Sequence, residues 1–198
     1  MEFTLTYRGP LKGKGNSADK QAIREYLHPQ LIELWNHPPL SLKKHLLTEV
    51  PTPANEGLAL IESRVTHKFV ALVSSAFHLM ADLQITFLRN GPPGSLISQG
   101  GDLDNRLKTL FDALSIPTDE QIKKQPPRAT GVVEPFYCLL QDDSLISSFS
   151  VMADRLLNGS QTHSSEPQIC SRHPELEVLI LIRVSTNTSK LMIANLDL

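Results

Sequence analysis

Gly100–Leu114 reads GGDLDNRLKTLFDAL, and this stretch decides the architecture. Leu103, Leu107, Leu110, Phe111 and Leu114 recur at the spacing of a single helical face, so a helix with one apolar stripe is predicted, ending before Pro117. A helix of this kind must pack on something, and the segments around it supply strands. "HKFVALVS" and "ADLQITFLR" precede it, "SLISSFSVMADRLL" follows, and "ELEVLILIRV" is the most hydrophobic β-type run in the chain and a candidate central strand. "KLMIANL" adds a candidate edge strand, and Phe3, Leu5 and Tyr7 alternate with polar residues as a first strand.

Between the first strand and this region lies a helical segment, residues 17–49. Ser17 is the expected cap, Ile23, Tyr26, Leu27, Leu31, Leu34 and Trp35 the apolar face, and Pro29 a kink or break. "SLKKHLL" follows as a short helix capped by Ser41. "PTDEQIKKQPPRATG" is polar and proline-rich and reads as an exposed loop, and "NGSQTHSSEPQICSRHP" as a long hairpin loop. The expectation is one α+β domain over residues 1–198, a mixed β-sheet with packed helices, with the N-terminal strand and the helical segment leading into a core motif region over residues 65–198.

Composition narrows the function. The net charge of −2 excludes a strongly basic nucleic-acid binder, so a nucleic-acid role has to rest on local patches. Two cysteines, Cys138 and Cys170, form neither a disulfide framework nor a metal spacing. The histidines are scattered, and no phosphate-binding glycine loop or G-x-S-x-G is present. No apolar run approaches a membrane span and the N-terminus lacks a leader-like apolar core, so a cytoplasmic protein without membrane association is expected.

The acids are the informative residues. Asp102 stands before the first helical turn and suits an N-cap, which leaves Asp104 two residues further on without that explanation. Asp142 and Asp143 form a second pair just before a strand. Carboxylates without nitrogen or sulfur partners suit a hard cation such as Mg²⁺, with Mn²⁺ as a substitute. Lys108, four residues after Asp104, is placed to meet a phosphate oxygen or a leaving group. From the residues alone the reading is metal-dependent phosphoryl transfer.

"DLDNRLKTLFDAL" followed by "DDSLI" resembles the signature of the RusA-type Holliday-junction resolvases. That family has a D-x-D-N segment opening a helix with a lysine in its first turns, an F-D-A-L continuation, and a D-D pair shortly before a strand. The resemblance implies Asp102, Asp104 and Asp143 as catalytic, metal-holding acids, with Asp142 beside them. It implies Lys108 as a catalytic cation, Asn105 as a supporting residue, Mg²⁺ as cofactor, branched DNA as substrate and a homodimer. The chain has "SQGG" where the family often has a basic run, a longer gap between helix and D-D pair, and a longer N-terminal half.

Arg8, Lys12, Lys14, Lys20 and Arg24, and then Lys123, Lys124 and Arg128, are the candidate DNA-contacting cations; a solvated loop is the alternative for each group. Two rival functions remain beside the endonuclease: a non-cutting binding protein of the same fold, and a metal-dependent phosphohydrolase of small molecules.

Overall fold

The computed structural model describes residues 1–89, 103–127, 135–156 and 177–188. Seven strands occur among them: β1 (Glu2–Pro10), β2 (Ile61–Arg64), β3 (His67–Val73), β4 (Leu79–Arg89), β5 (Phe136–Leu140), β6 (Ile146–Arg155) and β7 (Glu177–Thr188). The helices are α1 (Ser17–Asn36), α2 (Leu103–Leu114) and α3 (Asp119–Lys124), with short 3-10 helices at Leu40–Leu46, Pro53–Asn55, Ser75–Phe77 and Asp143–Leu145. The fold is α+β, as expected, and its strands divide between two mixed sheets.

The larger sheet has the order β1-β7-β4-β6. β7 pairs antiparallel with β1 and β4, and β4 pairs parallel with β6. The run read as a central strand is therefore central. Alternation explains its burial: Leu5 and Tyr7, Leu83, Ile85 and Phe87, and Val178, Ile180, Ile182 and Val184 all enter one core, while Thr4, Gln84 and Arg183 stay exposed. Ile23, Leu27, Leu31 and Trp35 of α1 and Leu107, Leu110, Ala113 and Leu114 of α2 cover that face.

The smaller sheet has the order β2-β3-β5, with β3 and β5 parallel. All five residues of β5 are buried, and Phe69, Ala71, Ile116, Ile122, Phe136 and Cys138 form a second, smaller cluster. The sequence pattern marks neither β2 nor β5 as a strand. Both are too short for a periodic signal, and β5 is apolar on both faces, so no alternation marks it.

Four local expectations are corrected. Asn16, not Ser17, caps α1: its side chain accepts the Asp19 N–H at 2.9 Å while the Asp19 carboxylate accepts the Asn16 N–H at 3.0 Å, a reciprocal capping box. The helix runs on through Pro29, with Leu31 and Trp35 buried beyond it, so packing offsets the bond the proline removes. Ser41 lies inside the 3-10 helix Leu40–Leu46, whose N-cap is Pro39. The polar stretch after Pro117 contains α3, capped by Thr118, with Asp119 and Glu120 in its first turn, Lys123 and Lys124 in its last, and Ile122 buried. The proposed C-terminal edge strand, the long hairpin loop, Cys170, Arg128 and Asp102 lie outside the described residues.

Candidate functional site

α2 presents the candidate acids because its other faces are committed. Leu110 and Leu114 are buried under the larger sheet and α1, whereas Asp104 and Lys108 are exposed, one turn apart. Asn105 is half-buried. On the flank toward α1, Thr109 donates its hydroxyl to the Asn105 carbonyl at 3.0 Å and accepts the Gly15 N–H at 3.0 Å. Lys20 meets Asp112 at 2.5 Å. Arg24, buried in α1, donates to the carbonyls of Asp112 and Ser115 and to Gln121 Oε1 at 2.8 Å, so it ties the end of α2 to α3.

Arg106 belongs to the same anchoring. It lies two residues after Asp104, is fully buried, and donates to the Leu11 carbonyl beyond the end of β1. Burial lowers its pKa, and the nearby positive charge of Arg89 lowers it further. Nothing in the sequence pattern singles it out, because the residue sits beside the apolar stripe, where an arginine would ordinarily reach solvent.

The second pair of acids divides into two roles. β5 ends at Leu140, and Gln141 is held by its N–H to the Val73 carbonyl at 2.9 Å and by its Oε1, which accepts from the Ser75 N–H at 3.0 Å. Asp142 then caps the 3-10 turn Asp143–Leu145, accepting the Ser144 N–H at 3.0 Å. Hydrogen bonds from Ser144, through its side chain and then its backbone, hold the Asp142 carboxyl below the usual carboxylate range. Asp143 is exposed at the first position of the turn.

The turn packs against α2 and against the start of β4. Beyond it, Phe149 of β6 meets Phe111 of α2 edge-on, with ring centroids 5.2 Å apart, which continues the seam. Adjoining elements thus carry Asp104 and Lys108 on one side and Asp143 on the other. Asp102, the remaining acid of the expected set, lies outside the described residues, and among the described residues no group of three His, Cys, Asp or Glu side chains could hold a metal ion.

An acid absent from the sequence reading lies close by. Asp82 of β4 sits at a register shift, where Ser147 and Ser148 both oppose it. Its carboxylate accepts from Ser147 Oγ at 2.5 Å, Ser148 Oγ at 2.8 Å and Asn187 Nδ2. The serine hydrogen bonds, Ser147 first, lower its pKa. Three donors on one carboxylate mark it as the clasp joining β4, β6 and β7. An isolated aspartate between two apolar strand residues carries no such signal in sequence.

The expected DNA-contacting cations are only partly available. Lys12 pairs with Asp19 at 2.7 Å, Lys20 with Asp112, and Arg24 is internal, so these three serve the packing of α1 rather than forming a basic stripe. Lys14 is exposed at a left-handed backbone position (φ 61°), Arg8 is exposed on β1, and Lys123 and Lys124 are exposed at the end of α3.

No family model, curated protein or solved structure matches the chain.

Proposed function

We propose that the chain is a Mg²⁺-dependent, structure-selective endonuclease acting on branched DNA. The observation that supports this reading best is the division of labour around α2. Its apolar and α1-facing sides are packed, while Asp104 and Lys108 of the D-x-D-N-x-x-K motif are exposed. The turn packed on the same helix uses Asp142 as its cap and leaves Asp143 exposed. Two of these exposed side chains are oxygen-only anions, the donor chemistry a hard divalent cation prefers.

Asp104 and Asp143, with Asp102, would hold the ion, and Asn105 would support them from the same turn of the helix. When bound, Mg²⁺ supplies charge neutralisation at a phosphodiester and acidification of an attacking water. Lys108 projects from the exposed face of α2, where its ammonium can offset negative charge that grows on a nonbridging oxygen or on the departing 3′ oxygen. Buried Arg106 and the Thr109–Gly15 contact fix the helix that presents these groups, so they position without touching substrate. A two-fold homodimer would set two such helices against the two-fold symmetry of a four-way junction.

A non-cutting DNA- or protein-binding role is the rival, favoured by the net charge of −2 and by the internal engagement of Lys12, Lys20 and Arg24. Incubating a labelled four-way junction with the protein in Mg²⁺ separates the two. The endonuclease reading expects paired nicks from the wild type and none from Asp104→Asn or Asp143→Asn, with junction binding measured in Ca²⁺ retained by both. Binding without nicking by the wild type would establish the rival.

A further inference from the structure

The two sheets have four outer strands, β1 and β6 in the larger and β2 and β5 in the smaller. An outer strand turns alternate N–H and C=O groups away from its sheet, a template for another chain unless something covers them. On three of the four, other parts of the chain reach that side. Gln30 of α1 stands in for a strand beside β1, accepting the Thr6 N–H at 2.9 Å and donating to the Thr6 carbonyl at 2.8 Å. His28, two residues earlier in α1, accepts the Tyr137 N–H of β5 at 3.0 Å, and Ile116 donates to the Leu140 carbonyl at 3.0 Å. The Thr48 carbonyl accepts the Ile61 N–H of β2 at 3.0 Å.

The fourth, β6, differs. Among the described residues no strand pairs with its outer side. Residues 146–153 carry no charge and no proline, the usual guards of an exposed edge. Phe149 is 53% exposed and Met152 62%. The register shift at Asp82 lies at the start of the strand, so residues 148–155 run in unbroken register with residues 82–89 of β4.

The outward groups can be named. The Leu156 N–H donates to the Arg89 carbonyl of β4 at 2.7 Å, which turns the even-numbered residues of this stretch toward β4. Phe149, Val151 and Ala153 therefore direct their N–H and C=O groups outward. Arg155, next in that series, already donates its N–H to the Asp154 carboxylate at 2.7 Å. The side chains of Phe149, Val151 and Ala153 stand beside Leu83, Ile85 and Phe87, on the face that α1 and α2 cover.

We infer that two copies of this chain join through β6, the strands pairing antiparallel about a two-fold axis through Val151 to make one continuous sheet. A second copy fits because the strand complements itself. The axis opposes every free outward residue with another: Phe149 with the partner's Ala153, Val151 with the partner's Val151, and Ala153 with the partner's Phe149. Each large ring thus meets a small side chain. Moving the axis one residue either way sets an outward residue against the register shift or against the occupied Arg155 N–H. On the other face Ser150 meets the partner's Met152 and Ser148 the partner's Asp154, so no charge meets a like charge. The pairing does not require the chain to cut DNA, and it gives the homodimer of the endonuclease reading a definite surface. It also extends the seam at α2, because Phe149 is the ring that meets Phe111.

Sedimentation of the intact chain over a range of concentrations, without DNA, tests the inference. The wild type should be a dimer. Ser150→Lys with Met152→Lys sets lysines directly opposite one another and should raise the dimer dissociation constant roughly tenfold or more. Ser150→Glu with Met152→Glu should do the same with carboxylates. Both positions are exposed, so each variant should keep the wild-type circular dichroism spectrum. Mixing the two variants should restore a dimer, since each lysine then faces a glutamate. A monomeric wild type, a dimer that either folded variant leaves as tight as before, or a mixture that does not recover would overturn the inference. With no DNA present, failure here leaves the endonuclease reading standing, and an absence of nicking leaves this interface standing.

Discussion

Gly15→Ala tests the seam that holds α2 in place. The backbone at Gly15 is not in the left-handed region, so an alanine suits its conformation; the obstacle is space. A Cβ there would stand 2.5 Å from Thr109 Cγ2 and 3.3 Å from Thr109 Oγ1, about 1 Å inside the normal contact for the methyl pair. Overpacking of this kind costs about 1–3 kcal/mol, because either the loop must retreat and lose the Gly15–Thr109 hydrogen bond or α2 must shift.

The Thr109→Ser variant removes the obstructing methyl group and keeps the hydroxyl. Alone it should cost about 0.5–1.5 kcal/mol, in the range of a buried methyl deletion. In its presence the cost of Gly15→Ala should fall to a few tenths of a kcal/mol, giving a coupling near 1 kcal/mol or more in the direction of rescue. Urea denaturation of the four proteins measures this, provided the slope is unchanged across the set. An alanine variant as stable as wild type, or one equally destabilising in both backgrounds, would mean that the loop does not press on α2 as described.

Asn16→Ala should lose about 1 kcal/mol by opening the capping box of α1, measured by the same denaturation series. Asp142→Ala should lose a similar amount through the 3-10 turn, whereas Asp143→Asn should leave the denaturation midpoint unchanged; a midpoint shift in Asp143→Asn would make that acid structural. His28 has its pKa lowered by burial and accepts the Tyr137 N–H at 3.0 Å through Nδ1, so it must be neutral when folded. Its contribution is complete above the unfolded histidine value of about 6.5 and is lost as pH falls through the lower folded value, a pH dependence that His28→Gln should reduce in melting curves. Burial pushes the Cys138 thiol up to about 12, so in a Cys170→Ser background a thiol reagent at pH 8 should label it no faster than the protein opens.

The long elements were legible because their periods survive in the sequence. α2 shows its stripe, β7 its unbroken apolar run and β1 its alternation, and each was read within a few residues of its observed bounds. β2 and β5 were not, being four and five residues long, and β5 lacks a polar face because α1 and the cluster that includes Ile116 and Ile122 enclose it. α3 was hidden by the prolines around it, although its acidic start and basic end carried the signal of a capped helix.

Among the candidate site residues, Asp104 and Lys108 lie on the exposed face that the helical spacing of the motif implies. Composition could not show that Lys12, Lys20 and Arg24 are engaged by Asp19, Asp112 and Ser115, since those partners are up to 92 residues away. The separate duties of Asp142 and Asp143 also depend on the backbone, because only the extended conformation at Asp142 turns its carboxylate onto the Ser144 N–H.

The central claim is that Asp104 of α2 and Asp143 of the adjoining turn serve one ion. Titrating the protein with Mn²⁺ and following the free ion by electron paramagnetic resonance tests it most directly. The account predicts a site in the wild type that Asp104→Asn and Asp143→Asn each abolish, with the double variant no weaker than either single one. A site that survives either substitution, or two losses that add independently, would contradict it.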